Sequence, residues 1–541
     1  MHCQAGAWER VYNTGVSIAG QASGEQTTFP SGKAMQRFAI LPNSPWLAAV
    51  TLCALAFLIR LVSIGLYPLQ DTSEARYGEM ARLMVETGDW ITVWFDYNVP
   101  FWGKPPLFIW LSALSFKLFG INEFAARLPS LLVSIAILAL TLKLALYQMG
   151  RSAGGLVLLI LPSTAIFLAL SGAILADPVS LLAITMMMTG FWIGWHEPCP
   201  LKARRWQYFF FIGCATGLLA KGLAVLVLAG LPIFFWCLPQ RRLLTFWQTF
   251  PCIKGSLLTL LIAVPWYLAA EIKTPGFLYY FFIGEHFQRY LDSGWDGDQY
   301  GAAHIRPMGT IWLRWLQSCL PWSLVIVWLG FKCLKGSNRK PMTCWQAFLL
   351  LWLICPLVFF TFARNIIWTY ALPVVPAMAL LLADTWQNKW EGWPKRIIAT
   401  AAITPVLMIG LTLFLMNGGG QKSQKQLMQV ISRQAVSNPG ILYLHGTPFS
   451  ARFYSSGKAK EVSGAESLRE KLQQAEKRYF LAAEDNEFDT LPPDIRSRFS
   501  EIARYRDWIL YLENLCPHPT DDSDDISCQR MVDTISPTQK R

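Results

Sequence analysis

Apolar runs close to 20 residues recur along most of this chain, separated by short polar loops. Runs of that length match the roughly 30 Å hydrocarbon core of a bilayer. A soluble protein of this size buries its core in shorter, patterned elements. The runs predict eleven spans: 46–66, 124–147, 154–172, 178–195, 207–220, 222–238, 255–270, 308–331, 345–362, 366–386 and 397–416. Pro162, Pro265, Pro321 and Pro356 fall inside them. Prolines are tolerated there when neighbouring helices satisfy the freed backbone groups.

Three stretches between or beyond the spans are large. In 67–123, the segment DTSEARYGEMARLMVETGDW places Tyr77, Met80, Ala81, Met84 and Val85 at helical spacing. Glu79, Arg82 and Glu86 lie elsewhere on the wheel, which predicts an amphipathic helix lying at the membrane surface. The following FWGKPPLFIWLSALSFKLFG is too short an apolar run to span and predicts an interfacial or re-entrant helix. The stretch 271–307 is rich in charge and aromatics. From Asn417–Gly420 onward the composition turns soluble-like, with strands predicted at Gly440–His445 and Arg478–Ala482 and a helix over 463–477. Clustered prolines and acids from Pro517 to Asp525 predict an irregular tail. The organisation is therefore an N-terminal tail (1–45), a transmembrane unit (46–416) with external loops 67–123 and 271–307, and a small external α/β domain with an acidic tail (417–541). Met35 is a candidate translation start.

Composition sharpens this. Hydrophobic residues make up 53% and charged residues 15% of the chain, against about 25% charged in soluble domains. The net charge of +12 can mean nucleic acid, but here the positive charge sits in short loops. With the N-terminus in the cytoplasm, that side receives Arg151, Lys202, Arg204 and Arg205, Arg241 and Arg242, Lys332 and Lys335, and Arg396. This is the positive-inside pattern of a multi-pass membrane protein, and it excludes nucleic acid as the reason for the charge. An odd number of spans leaves the C-terminus outside. None of the 12 cysteines forms a CxxC pair, so no zinc or redox site of that kind is expected. Cys516 and Cys528 can pair if their region faces an oxidising compartment.

On that topology, ionisable residues from distant stretches collect on the outer face. Asp71 and Glu74 read either as a capping-box-like helix start or as carboxylates held at the surface for chemistry. Asp177, before Pro178, reads as a helix N-cap or as a site carboxylate. Lys104 and Lys221 read as anchoring lysines or as phosphate ligands. Glu285, His286 and Arg289 share one face if their segment is helical. Arg364 sits at a span boundary, with Tyr370 about one turn further on. A lone histidine is not a metal site, and no metal-ligand spacing is present. Neither a P-loop nor a dinucleotide-binding glycine motif occurs. Carboxylates with several cations suit a departing phosphate and a positioned acceptor.

The string from SEARYGEMARLMVETGDW through FWGKPPLFIWLSALSFKLFG to NEFAARLPS resembles the N-terminal region of the polyprenyl-phosphate-sugar glycosyltransferases. That family includes protein O-mannosyltransferases and bacterial lipid A aminoarabinose transferases. The resemblance continues more weakly through ILADP, LLAKG, GEHFQRY and TYALPVVP, so it covers roughly residues 46–386. It implies a mainly α, multi-helix membrane glycosyltransferase (GT-C-type) fold with an external active site. It also implies an undecaprenyl-phosphate-linked donor and inversion at the anomeric carbon. It places the catalytic acid near Asp71 and Glu74, and Asp177 near the acceptor or sugar. Arg76, Lys104, Lys221 and Arg289 fall near phosphate, and Tyr77, His286, Arg364 and Tyr370 line the site. Two positions depart: the family's acidic pair reads Ser73–Glu74 here, and the acid often found before the KP lysine is Gly103. Asp71 can compensate for Ser73, so which carboxylate is essential stays open.

The expected function is sugar transfer from a polyprenyl phosphate to lipid A, another glycan or a protein, on the periplasmic face of a bacterial inner membrane. No cofactor is expected, and a metal requirement is left open. A transporter or lipid-carrier flippase would use the same carboxylates as a proton relay, but would place them near mid-membrane in matched halves. A non-catalytic scaffold would instead depend on residues 418–541.

Overall fold

The computed structural model describes residues 45–514 except 240–241, 293–294, 296, 298, 302–304, 336–340, 388–394, 421, 437 and 474–476. The predicted N-terminal tail, Met35, the Cys516–Cys528 pair and the acidic tail lie outside the described residues.

Among the described residues, seven helices are long and apolar enough to cross a membrane: 46–63, 123–148, 176–196, 252–273, 344–361, 368–387 and 396–416. The other four predicted spans take other helical forms. The 154–172 run becomes α5 (Arg151–Ile160) and α6 (Ala165–Leu170). The 308–331 run becomes Thr310–Ser318 and Trp322–Lys335, divided at Pro321. Proline interrupts the backbone hydrogen-bond ladder, and that divides the apolar run. The 207–220 run is the end of a longer helix, α8 (Pro200–Lys221), whose first turns carry Lys202, Arg204 and Arg205. It is followed at once by α9 (Leu223–Cys237).

Helix α7 (Ala176–His196) runs against α8. The approach is close because small residues line it. A Cβ on Gly190 would lie 2.8 Å from the backbone nitrogen of Phe210. Small residues let helix backbones come together where lipid supplies no hydrophobic drive. The start of α7 therefore faces the end of α8.

The loop after α1 (Pro45–Ser63) carries α2 (Ser73–Thr87), a short hairpin of β1 (Trp94–Asp96) and β2 (Val99–Pro100), and α3 (Leu107–Phe119). Helix α4 (Glu123–Gln148) follows, with Asn122 capping it by accepting from the Ala125 amide. Helix α2 differs from the sequence expectation. Glu79 and Arg82, predicted off the apolar face, are buried at 2% and 3% exposure. They form a two-point ion pair, both contacts 2.7 Å. The cause is tertiary: the short helix Phe449–Tyr454 from the C-terminal unit packs over α2.

That unit is a five-stranded sheet in the order β4-β3-β5-β7-β6. β3 (Gly440–Leu444) pairs in parallel with β4 (Ala459–Val462) and β5 (Tyr479–Glu484). β7 (Trp508–Glu513) runs antiparallel to β5 and to β6 (Phe499–Tyr505). The central strands are covered on both faces, so GILYL and YFLAA read as continuous apolar runs. The sheet unit docks on the loop that precedes and contains α2, so both lie at one end of the helical bundle.

Candidate active site

The site is built where the starts and ends of sequence-distant helices meet. Asp177 lies in the first turn of α7. It is not the N-cap, which falls on Leu175, and no side chain caps that helix. Its carboxylate instead accepts from Lys221 at the end of α8, 2.7 Å away. Lys221 has no acidic neighbour in sequence, and its partner is 44 residues distant. Its ammonium also sits 4.8 Å from the centre of the Tyr370 ring. The Lys221–Gly222 turn is held from outside by the helical segment 277–291, whose Tyr280–Gln288 stretch has π-helical geometry. Gly222 has φ +80°, and a Cβ there would lie 2.6 Å from Phe281 Cζ and 2.7 Å from His286 Nε2. Only glycine meets both demands.

Tyr77 on α2 links this pair to two more cations. Its ring centre lies 5.1 Å from the Arg76 guanidinium and 5.8 Å from Lys104 Nζ. Burial alone would raise the Tyr77 phenol. The charges of Lys104 and Arg76 outweigh it and hold the group below the usual tyrosine value, with Asp177 opposing them. Arg76 is fixed in turn by the Tyr300 carbonyl at 2.5 Å.

Beside this cluster lies a cavity of about 540 Å³. Asp71, Glu74 and Asp177 line it, together with Arg60, Arg306 and Arg314. Glu74 is held by Arg127 through two contacts of 2.7 and 2.8 Å. Arg127 is fully buried and also donates to the carbonyls of Ile64, Tyr67 and Pro68. Of the two readings of Asp71 and Glu74, the capping-box-like start does not form: α2 begins after Thr72 with no side-chain cap. Asp71 turns away and accepts from both the backbone amide and the hydroxyl of Ser450 in the sheet unit.

Burial pushes the Asp71 carboxyl up to about 6, against the Ser450 hydrogen bonds that hold it down. A carboxyl raised above its unfolded value adds stability that is full below about pH 4 and is lost as pH rises through 6. Wild-type protein should therefore gain thermal stability relative to Asp71→Asn on going from pH 7 to pH 5. Only about one pH unit of that window lies between 6 and 5, so the difference over this range is bounded at about 1.4 kcal/mol. Parallel melts of the two proteins across that range check it, and identical pH dependence would refute the assignment.

The other expected residues are placed differently. His286 Nδ1 lies 2.7 Å from the Phe281 carbonyl, and burial lowers its imidazole below the ordinary value. It braces the Gly222 turn. Arg289 pairs with Glu285 at 2.8 Å along its own segment. Arg364 is exposed, and its carbonyl accepts from the Arg306 amide at 2.9 Å. The arginine lining the cavity there is Arg306 itself. Arg60, Arg127, Arg306, Arg314 and Ser450 escape the sequence reading. For Arg60 and Arg127 a signal exists: arginine inside or at the start of an apolar run is costly and therefore notable. Among the described residues, no group of three or more His, Cys, Asp or Glu side chains could hold a metal ion.

Comparison with known proteins agrees with the resemblance in the sequence. Residues 50–281 match the family model for dolichyl-phosphate-mannose-protein mannosyltransferases. An undecaprenyl phosphate-alpha-4-amino-4-deoxy-L-arabinose arabinosyl transferase of Aeromonas salmonicida is 31% identical over 60% of this chain. The aligned stretch spans 57% of that relative's length. The enzyme of the same description from Yersinia pestis is 29% identical over 71% of this chain and 70% of its own. In structure, the chain is similar to ArnT from Cupriavidus metallidurans, crystallised bound to undecaprenyl phosphate. The TM-score is 0.70 at 18% identity, over 86% of this chain and 97% of that one. The fold is multi-pass and mostly helical, similar to that of ArnT.

Proposed function

We propose that this chain transfers a sugar from a polyprenyl phosphate to an envelope acceptor, on the periplasmic face of a bacterial inner membrane. The observation that carries the reading is a cluster of cations beside one carboxylate. Lys221 meets Asp177 at 2.7 Å, while Lys104 and Arg76 flank Tyr77 beside it. The relatives named above act with undecaprenyl phosphate-linked aminoarabinose, so that donor is the first to test. Lipid A is the first acceptor to test.

In the reaction, an acceptor oxygen attacks the anomeric carbon from the face opposite the carrier. The bond from that carbon to the phosphate oxygen breaks, and the carrier leaves as its monophosphate. Lys104, Arg76 and Lys221 stabilise the charge that develops on the leaving phosphate. The acceptor enters from the 540 Å³ cavity. Two of its arginines, Arg60 and Arg314, carry buried Nε atoms with no hydrogen-bond partner among the described residues. Buried unpaired donors are costly, and an anionic acceptor would satisfy them. Such an acceptor needs no general base. This fits carboxylates already committed to partners: Glu74 to Arg127, Asp71 to Ser450 and Asp177 to Lys221. Asp177 then orients the acceptor and Lys221.

Lys104→Ala should lower transfer from the undecaprenyl-linked donor by about 10²-fold or more, with normal membrane insertion. Purified protein, donor and lipid A are incubated, and modified lipid A is counted by mass spectrometry. Full transfer by the variant, or none by the wild type with any polyprenyl-linked sugar, would sink the proposal.

A further inference from the structure

Ser450 of the sheet unit bonds a residue of the cavity wall, Asp71. Ser450 is fully buried. Its amide and hydroxyl both donate to the Asp71 carboxylate, and its hydroxyl oxygen also accepts from the Gln424 amide at 2.9 Å. The backbone beside it is tied in the same way. The Asp71 amide donates to the Lys422 carbonyl at 2.7 Å, and the Lys422 amide donates to Gln70 Oε1 at 2.9 Å. The turn between α1 and α2 is therefore gripped at two ends. Arg127 holds the Glu74 end from within the bundle, while Ser450 and Lys422 hold the Asp71 end from the sheet unit.

We propose that Ser450 is a positioning residue, which sets the Asp71–Glu74 turn on the cavity wall through its hydrogen bonds to Asp71. This rests on the transfer reaction proposed above. The C-terminal unit then belongs to the active site rather than hanging beside it. Docking of the unit does not itself depend on Ser450. Arg452 pairs with Asp96 at 2.6 Å, Lys425 pairs with Glu123, and the Tyr454 hydroxyl accepts from the Leu69 amide at 2.8 Å. Those contacts keep the unit in place when the Ser450 hydroxyl is removed, so placement of the turn and attachment of the unit can be separated.

The test uses the full-length protein with Ser450→Ala, Ser450→Thr and Arg452→Ala. Ser450→Ala should lower kcat about tenfold, because small misplacement of a positioned group is expensive in rate. KM for the donor should stay unchanged. Hydrogen exchange should quicken at the amides of residues 71–76 and stay as in the wild type at 94–97. Ser450→Thr restores the hydroxyl and should recover the rate. Arg452→Ala should quicken exchange around Asp96 while kcat holds. The proposal is overturned if Ser450→Ala keeps the wild-type rate, if threonine fails to rescue, or if exchange rises equally across 94–97. A wild type that transfers no sugar defeats the functional reading alone. Unchanged exchange at 71–76 in Ser450→Ala defeats the positioning alone.

Discussion

Asp177→Asn should cut sugar transfer by about 10³-fold while leaving the amount of folded protein in the membrane near normal. The amide keeps the size of the carboxylate but loses its charge. Lys221, 2.7 Å away, then has no anion to fix it over the Tyr370 ring. The substitution removes the orienting group and misplaces a phosphate ligand in one step. Lys221→Ala should cost about as much. The double variant should be little worse than either single one, because residues acting as a unit are non-additive. Rates with the undecaprenyl-linked donor, normalised to folded protein, give the comparison. If Asp177→Asn retained a tenth of the wild-type rate, the pair would not be at the centre of the chemistry. Additive losses would mean that the two residues act separately.

Arg127→Ala should be the most destabilising single change in the loop region, at about 3–5 kcal/mol. The guanidinium has no exposed surface. It holds Glu74 and three carbonyls of the chain leaving α1. Alanine leaves a half-buried carboxylate without its partner and three carbonyls without donors. Arg127→Lys should be nearly as damaging, since an ammonium cannot reproduce the planar fork. Glu74→Gln should cost less, because the amide oxygen still accepts from Arg127. Thermal unfolding of detergent-purified protein, followed by intrinsic tryptophan fluorescence, measures the order. A melting temperature for Arg127→Ala within a degree of wild type would show that the loop is held by other means. Loss of transfer in Glu74→Ala is therefore expected to reflect folding as well as chemistry, and Glu74→Gln is the cleaner probe.

Much of the helical framework was legible from run length alone. Seven of the predicted spans have counterparts among the long apolar helices; of the other four, two are divided, one is the shorter α9 and one is the end of α8, whose first turns are charged. The strands at Gly440–Leu444 and Tyr479–Glu484 were legible too, as short apolar runs in polar surroundings. The period of α2 is legible in the sequence, but its burial is not. Glu79 and Arg82 look like solvent positions until the Phe449–Tyr454 helix covers them. The same covering helix brings Ser450, some 380 residues along, against Asp71. No local pattern marks that contact.

The sequence by itself determined that the chain crosses a membrane repeatedly. It also set the loops in which the ionisable residues lie, because run length and loop charge are properties of consecutive residues. Which charges meet was decided by the tertiary structure alone. Asp177 was free to cap its helix and Asp71 to cap α2; each instead faces a partner supplied by another element. Coulomb and hydrogen-bond energies depend on distance in space. The close packing of α7 on α8 and the docking of the sheet unit are what bring those partners within 3 Å.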